Sequence, residues 1–294
     1  MAGVDRFGAR TEVSLPAPQL SPLAQERLAY RRSRARRSTA VAFFSTLLFA
    51  IVLVVVVGNS PGWPRFRETF LDPAEAWRSL PSILDGLWLN LRVLVVAEIG
   101  VLVVGLAIAG MRTLRGPVFF PLRALATAYV DLFRGVPLLI ALYLIGFGLP
   151  ALRLQGIPTS AAVLGTITLI LVYSAYVAEV FRAGIESVHP SQSAAARSLG
   201  LSHRQSMRLV VLPQAVRRVL PPLLNDFVAL QKDVGLISVL GAVDAIRAAQ
   251  IAVAESYNFT PYVVAGLLFV LLAVPTGRFA DAVAARAARR QEGS

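Results

Sequence analysis

Apolar residues along this chain gather into long runs separated by polar, proline- and glycine-containing connections. The runs are Val41–Val57, roughly Leu84–Met111, Leu122–Leu149 and Ala161–Phe181, an interrupted stretch Leu209–Leu230, and Tyr262–Val274 continuing toward Ala284. A hydrocarbon core of about 30 Å takes roughly 20 apolar residues per spanning helix. Backbone polar groups in lipid must be satisfied within the helix. The pattern therefore predicts an all-α polytopic membrane protein with about six transmembrane helices. The fifth run carries Pro213, Pro221 and Pro222 together with Gln214, Arg217, Arg218, Asn225 and Asp226. Such a segment cannot face lipid all round, so it belongs against protein or beside a water-filled cavity, and its prolines predict a break.

The connections divide the chain. Residues 1–40 are polar and basic and are expected to form a largely disordered cytoplasmic tail, with 41–58 an additional N-terminal transmembrane helix. The long basic stretch before this run and Gly58-Asn59-Ser60-Pro61 after it favour an uncleaved anchor over a secretory signal. Residues 59–82 read as an extracytoplasmic loop in which Trp63 and Trp77 suit the interface. Residues 83–285 hold the remaining five spans, and 286–294 form a short tail. Residues 240–257 mix Val243, Ile246, Ile251 and Val253 with Asp244, Arg247, Gln250 and Glu255, which predicts an amphipathic or re-entrant helix on the outer side.

Composition sharpens this picture. Of 294 residues, 56% are hydrophobic and 16% charged, and mean hydropathy is +0.64, which favours the membrane class. The net charge of +12 would suggest nucleic acid in a soluble chain. Twenty-one arginines lie in 1–40, 112–123, 182–218 and from Arg278 onward, whereas the opposite connections hold six Lys and Arg. That bias puts both termini in the cytoplasm and accounts for most of the charge. There is no cysteine, and the two histidines are His189 and His203, so disulfides and thiolate or histidine metal sites are not expected. The sole lysine, Lys232, precedes Asp233 with no glycine-rich phosphate loop around it. This chain is therefore not expected to bind or hydrolyse ATP.

The cytoplasmic segment Glu186–Pro213 carries clear punctuation. Pro190 suits the first position of a helix, and Ala194, Ala195 and Ala196 favour helix while leaving a flat surface. Gly200 suits a left-handed helix end, and Ser202 with Gln205 makes a capping-box pattern that starts a second helix. Leu212-Pro213 marks a stop. Taken physically, this is a short helix, a glycine turn and a second helix; order alone does not demonstrate a partner.

The spacing Ala194-Ala195-Ala196, Gly200, Val210, Leu212-Pro213 resembles the signature of membrane subunits of ATP-binding-cassette importers. In that signature Glu-Ala-Ala is followed by Gly, Ile and Leu-Pro at the same intervals. Tyr176-Val-Ala-Glu179-Val-Phe-Arg182-Ala-Gly184, Leu212-Pro-Gln214-Ala, Asn225, Lys232-Asp233 and Tyr129-Val-Asp-Leu-Phe133-Arg134-Gly135-Val-Pro137 resemble the polar amino acid (His/Glu/Gln/Arg/opine) branch. The resemblance covers roughly Ile83–Ala284. It implies a type I importer transmembrane domain, MetI-like, with a cytoplasmic coupling helix docking an ATPase at Ala194, Ala195, Ala196, Gly200, Leu212 and Pro213. It further implies two ATPase copies carrying ATP and Mg, a second permease subunit of the same or a different kind, and an extracytoplasmic solute-binding protein. Two departures stand out. Ala194 replaces the signature Glu, and Val234-Gly235 follow Lys232-Asp233 where relatives carry Thr-Ser.

Ionisable residues inside spans are functional candidates. Glu98 serves either a substrate amino group or a structural hydrogen bond. Asn225 and Asp226 follow Pro221-Pro222 and are candidates for the pathway, and Lys232 and Asp233 for a gate. Asp131 and Arg134 are spaced to pair on one helix face. Glu179 and Arg182, with Gly184, are expected to brace the docking loop. An ion-coupled transporter or channel is the alternative reading. A membrane-embedded enzyme lacks any convergent catalytic set.

Overall fold

The computed structural model describes residues 22–114, 116–156 and 158–292. It contains eleven α-helices: α1 (Pro22–Gly58), α2 (Trp63–Phe70), α3 (Pro73–Thr113), α4 (Phe120–Gly135), α5 (Leu138–Ala151), α6 (Ala161–Glu186), α7 (Pro190–Ser198), α8 (His203–Ser206), α9 (Leu212–Asp233), α10 (Ala245–Ser256) and α11 (Thr260–Glu292). The chain divides into two compact units, residues 1–64 and 65–294.

In the first unit α1 is one helix of 37 residues. Residues 22–40 of the expected disordered tail are thus helical, because Ala, Leu, Arg and Gln favour helix and no proline interrupts them after Pro22. The rest of that expectation, residues 1–21, lies outside the described residues.

The connection over residues 59–82 is mostly helical. Asp72 caps α3, its Oδ1 accepting from Ala74 N–H at 2.9 Å, with Pro73 in the first turn. The α3 helix runs 41 residues through Pro81. The predicted 59–82 loop therefore holds α2 and the first turns of α3. Close helix contacts rest on small residues, as expected where lipid offers no hydrophobic drive. A Cβ on Gly100 would lie 2.5 Å from Ile170 Cδ1, and one on Gly105 2.8 Å from Val177 Cγ1, so α3 and α6 approach nearly backbone to side chain. Around that contact Val93, Leu94, Ala97, Val101, Leu169, Tyr173, Val177, Leu230, Val234 and Ile237 form the main core. Tyr129 ties α4 to α6 by donating to Leu171 O at 2.8 Å.

Four helices are long and apolar enough to cross a membrane, or up to six spans if each of two bent pairs counts as one. The third predicted run is such a pair: α4 and α5 meet at 108°. Val136, placed before Pro137, is extended with φ −93° and ψ 127°, as the proline ring forces on its predecessor. The fifth run departs from expectation in the opposite sense. A π-helical turn, Met207–Val211, links α8 to α9, and Leu212 N–H bonds Met207 O. This widened turn makes room for the Pro213 ring, so Leu212-Pro213 does not end the helix. The α9 helix then continues through Pro221 and Pro222 to Asp233. Its packing on α6 and α11 supplies the stability that two missing N–H donors remove. The bend comes later, at 50° between 203–240 and α10. There Gly241, at φ 90°, turns the chain after a 3₁₀ segment (Val234–Leu240). The α11 helix reaches Glu292, so most of the expected 286–294 tail is helical.

Candidate functional site: the docking helix and the membrane cleft

The loop between α6 and α9 has the punctuation that its residues foretell. Pro190 opens α7, and His189 Nδ1 accepts from Ser191 N–H at 3.2 Å. At the other end Gly200 N–H bonds Arg197 O at 2.9 Å and Leu201 N–H bonds Ala196 O at 3.2 Å. With Gly200 at φ 87°, this is a Schellman ending, in which a Cβ would meet strain. Ser202 and Gln205 close the capping box: Gln205 Oε1 accepts from Ser202 N–H at 2.9 Å, and Ser202 Oγ from Gln205 N–H at 3.3 Å. On α7, Ala196 is buried and Ala194 and Ala195 are exposed. Leu199, at the end of α7, is 84% exposed. Beneath the loop Val188, Val211 and Ala215 form a small core with Ile185 and Met207. The result is a rigid short helix presenting alanines and a leucine away from the body. Leu212 and Pro213 are exposed at the start of α9.

The loop is braced by a chain of ion pairs. Glu179 Oε2 accepts from Arg112 Nη1, on α3, at 2.6 Å. Glu179 Oε1 pairs with Arg182 Nη2, and Arg182 Nη1 reaches Glu186 Oε2 at 2.6 Å. The Arg112, Glu179 and Arg182 side chains are only 15%, 23% and 30% exposed, so their attraction is less screened than at an open surface. Gly184 contributes by absence of a side chain: its Cβ would lie 2.0 Å from Val219 Cγ1 on α9. Arg218, on α9, donates to Ser187 O and, at 3.0 Å, to Ser187 Oγ. The expected pair Glu179–Arg182 is present, and Arg112, 67 residues away in sequence from Glu179, is the partner that local spacing could not disclose.

Deeper in the fold, the α4–α5 bend, α6 and α9 enclose a cleft of about 370 Å³. Arg134, Tyr173, Tyr176, Asp226 and Asp233 supply its polar lining. Tyr173 donates to Asp233 Oδ2 at 2.7 Å, and the Arg134 guanidinium sits 5.7 Å from the centre of the Tyr176 ring. Arg134 thus engages Tyr176, and its expected pairing with Asp131 is not among the ion pairs of the described residues. Asp226 Oδ2 is buried with no hydrogen-bond partner. Of the predicted pathway residues, Asp226 and Asp233 line this cleft. Glu98 is half-buried on α3. Asn225 and Lys232 are exposed on α9. Sequence reasoning missed the pair Asn90 and Asp244. Asn90, 2% exposed, donates to Asp244 Oδ2 at 3.0 Å and Val234 O at 3.2 Å and accepts from Ala245 N–H at 3.1 Å. Asp244, fully buried, caps α10 through Arg247 N–H at 2.9 Å. An amide inside an apolar run was the available signal. No group of three or more His, Cys, Asp or Glu side chains fit to hold a metal occurs among the described residues.

Apolar helices, a partly open cleft with a charged lining and a braced short helix between α6 and α9 fit the membrane-embedded part of a transport machine. Residues 101–289 match the family model described as "Binding-protein-dependent transport system inner membrane component", and the chain belongs to that family. A probable glutamine ABC transporter permease protein of Bacillus subtilis is 38% identical over 195 residues, 65% of this chain and 87% of that protein. An arginine transport system permease protein of the same organism is 33% identical, covering 69% and 90%. A glutamate transport system permease protein of Corynebacterium efficiens is 34% identical, covering 68% and 92%. Among solved structures, an amino acid ABC transporter with histidines aligns with TM-score 0.67 at 34% identity, over 73% of this chain and 98% of that one. The inward-facing MetNI methionine ABC transporter, 20% identical with TM-score 0.55 over 70% and 96%, shares the fold. The protein is the inner-membrane permease component of a system that also comprises an ATPase and a binding protein; the ATPase is a separate subunit.

Proposed function

We propose that this chain is the permease of an ATP-driven amino acid importer, coupled to its ATPase through the exposed face of α7. The named relatives carry glutamine, arginine and glutamate, which supports amino acids as the solute class. The cleft supports it chemically: a zwitterion needs a cation for its carboxylate and a carboxylate for its ammonium, and Arg134 stands with Asp226 and Asp233 along one lining. Asp226, with an unpartnered buried oxygen, is the ammonium acceptor in this reading. Tyr173 holds Asp233 in place, and Glu98, Asn225 and Lys232 flank the route.

The single observation that carries the coupling is α7: nine residues locked by a proline start and a Schellman end, with Ala194, Ala195 and Leu199 facing outward. Two ATPase copies binding ATP and Mg would close and move two such helices, one on each of two like or unlike permease subunits. A binding protein delivers solute to the opposite face, and both termini are cytoplasmic. A rigid contact transmits that difference in ATP-bound states; a mobile loop would not. Ala194, where an acidic contact is usual, leaves apolar packing at Ala195 and Leu199 as the main source of docking affinity. Replacing Ala195 by Trp is expected to abolish uptake and co-elution with the ATPase subunit while membrane insertion persists. Full uptake by that variant would sink the docking assignment.

A further inference from the structure

The first unit holds a feature outside the matched family region. The α1 helix is continuous from Pro22 to Gly58, and Arg31, Arg32, Arg34, Arg36 and Arg37 lie immediately before the apolar run. At 3.6 residues per turn these five positions fall at about 0°, 100°, 300°, 140° and 240° round the axis, leaving no gap wider than about 100°. As positions on the helix they ring the axis in a collar and do not follow a stripe. A protein partner or a groove would require charge on one side of the helix; charge on every side fits a surround that is the same in all directions.

The axial dimensions agree. From Arg31 to Arg37 the helix rises about 9 Å, close to the roughly 5–8 Å of headgroup region on each side of a bilayer. Ser38–Gly58 then extends about 31 Å, which matches a hydrocarbon core of about 30 Å. Its apolar side chains are exposed round the circumference, with Val41, Phe43, Phe44, Leu48, Phe49 and Val54 each above 60%. Glu26 is the one acidic residue between 22 and 58, so the collar's charge is not cancelled along the helix. The matched family region begins at residue 101, which leaves this segment outside the shared permease body.

We propose that the five-arginine collar of α1 binds anionic phospholipid headgroups and gathers such lipids round the transporter. Guanidinium groups suit phosphate through paired N–H donors, and each basic residue near an anionic surface raises lipid association by about fivefold.

The test uses the full chain, which has no cysteine of its own. A Ser38→Cys variant carries a fluorophore, and the protein is reconstituted in vesicles with the same composition in both leaflets, so its orientation does not affect the reading. Quenching is compared for phosphatidylglycerol and phosphatidylcholine, each bearing a nitroxide near the glycerol backbone. The relative association constant is expected to favour phosphatidylglycerol at least fivefold. It should fall toward one when Arg31, Arg32, Arg34, Arg36 and Arg37 are all replaced by Gln, and in 0.5 M salt, while a five-lysine variant keeps much of the preference. A wild-type ratio near one, or a ratio unchanged by the Gln variant, overturns the proposal. A ratio near one combined with collar-dependent binding of an acidic polypeptide would assign the collar to a protein partner.

Discussion

Glu179 illustrates how a single side chain gathers distant parts of the fold. It accepts from Arg112 on α3 and from Arg182 one turn along α6, and removing its charge would leave the partly buried Arg112 without a carboxylate and Arg182 with Glu186 alone. Glu179→Gln is therefore expected to cost about 1–2 kcal/mol, between the values for exposed and buried pairs. Arg112→Met should cost less, because Arg182 still neutralises the carboxylate. Thermal unfolding of the two single variants and the double variant in detergent measures the coupling; additive effects would dissociate Arg112 from the brace. Asp226 differs in kind, since no hydrogen bond holds its Oδ2. Asp226→Asn is expected to leave thermal stability unchanged or raised and to weaken apparent solute affinity about 10- to 100-fold, the worth of a charged hydrogen bond. Uptake titrations with a panel of amino acids read this directly, and an unaltered affinity would remove Asp226 from the pathway. Of these residues, Arg182 was legible from its three-residue spacing to Glu179, and Asp226 from its polarity within an apolar run. Arg112 was not, because its partner comes from another helix.

Among the elements, α7 was the most legible because its limits are written locally: Pro190 at the start, Gly200 at the end, and Ser202 with Gln205 beyond. The path of α9 was the least legible. Proline signals lost backbone bonds, but whether the chain bends there depends on what packs round it. Val136-Pro137 sits at a corner, whereas Pro221-Pro222 lie within a helix clasped by α6 and α11. The clasp itself depends on Gly184, whose missing side chain lets Val219 approach. Gly184→Leu is expected to push α6 and α9 apart, costing about 1–3 kcal/mol as overpacking usually does, and to uncouple ATP hydrolysis from uptake, since the same helices carry the loop proposed to dock the ATPase. Adding Val219→Gly to the smaller variant Gly184→Ala should restore coupling by returning the space. If the double variant remains as impaired as Gly184→Ala, the contact is not what positions the loop.

At the scale of the whole molecule, α1 lies outside the family region, and its Arg37–Gly58 stretch is long and apolar enough to cross a membrane. Permease relatives are matched along 87–92% of their own length by 65–69% of this chain, and the family region spans 101–289. Removing residues 2–58 would delete α1 and, with six spans expected, leave five, so the new N-terminus is expected outside if α7 is to keep the cytoplasmic side proposed for it. Thirteen arginines in 112–123, 182–218 and from Arg278 onward still oppose six basic residues in the alternate connections, enough bias to hold the expected orientation without the tail. The core contacts at Gly100, Gly105 and Gly184 all lie within residues 65–294, so none is lost by the deletion. The truncated chain is therefore expected to insert, to expose a Ser198→Cys label only on the cytoplasmic side, and to support ATP-driven uptake comparable with that of the full chain. Uptake that disappears although Ser198→Cys still labels from the cytoplasm would show α1 to be a working part of the transport cycle, not an appendage to it.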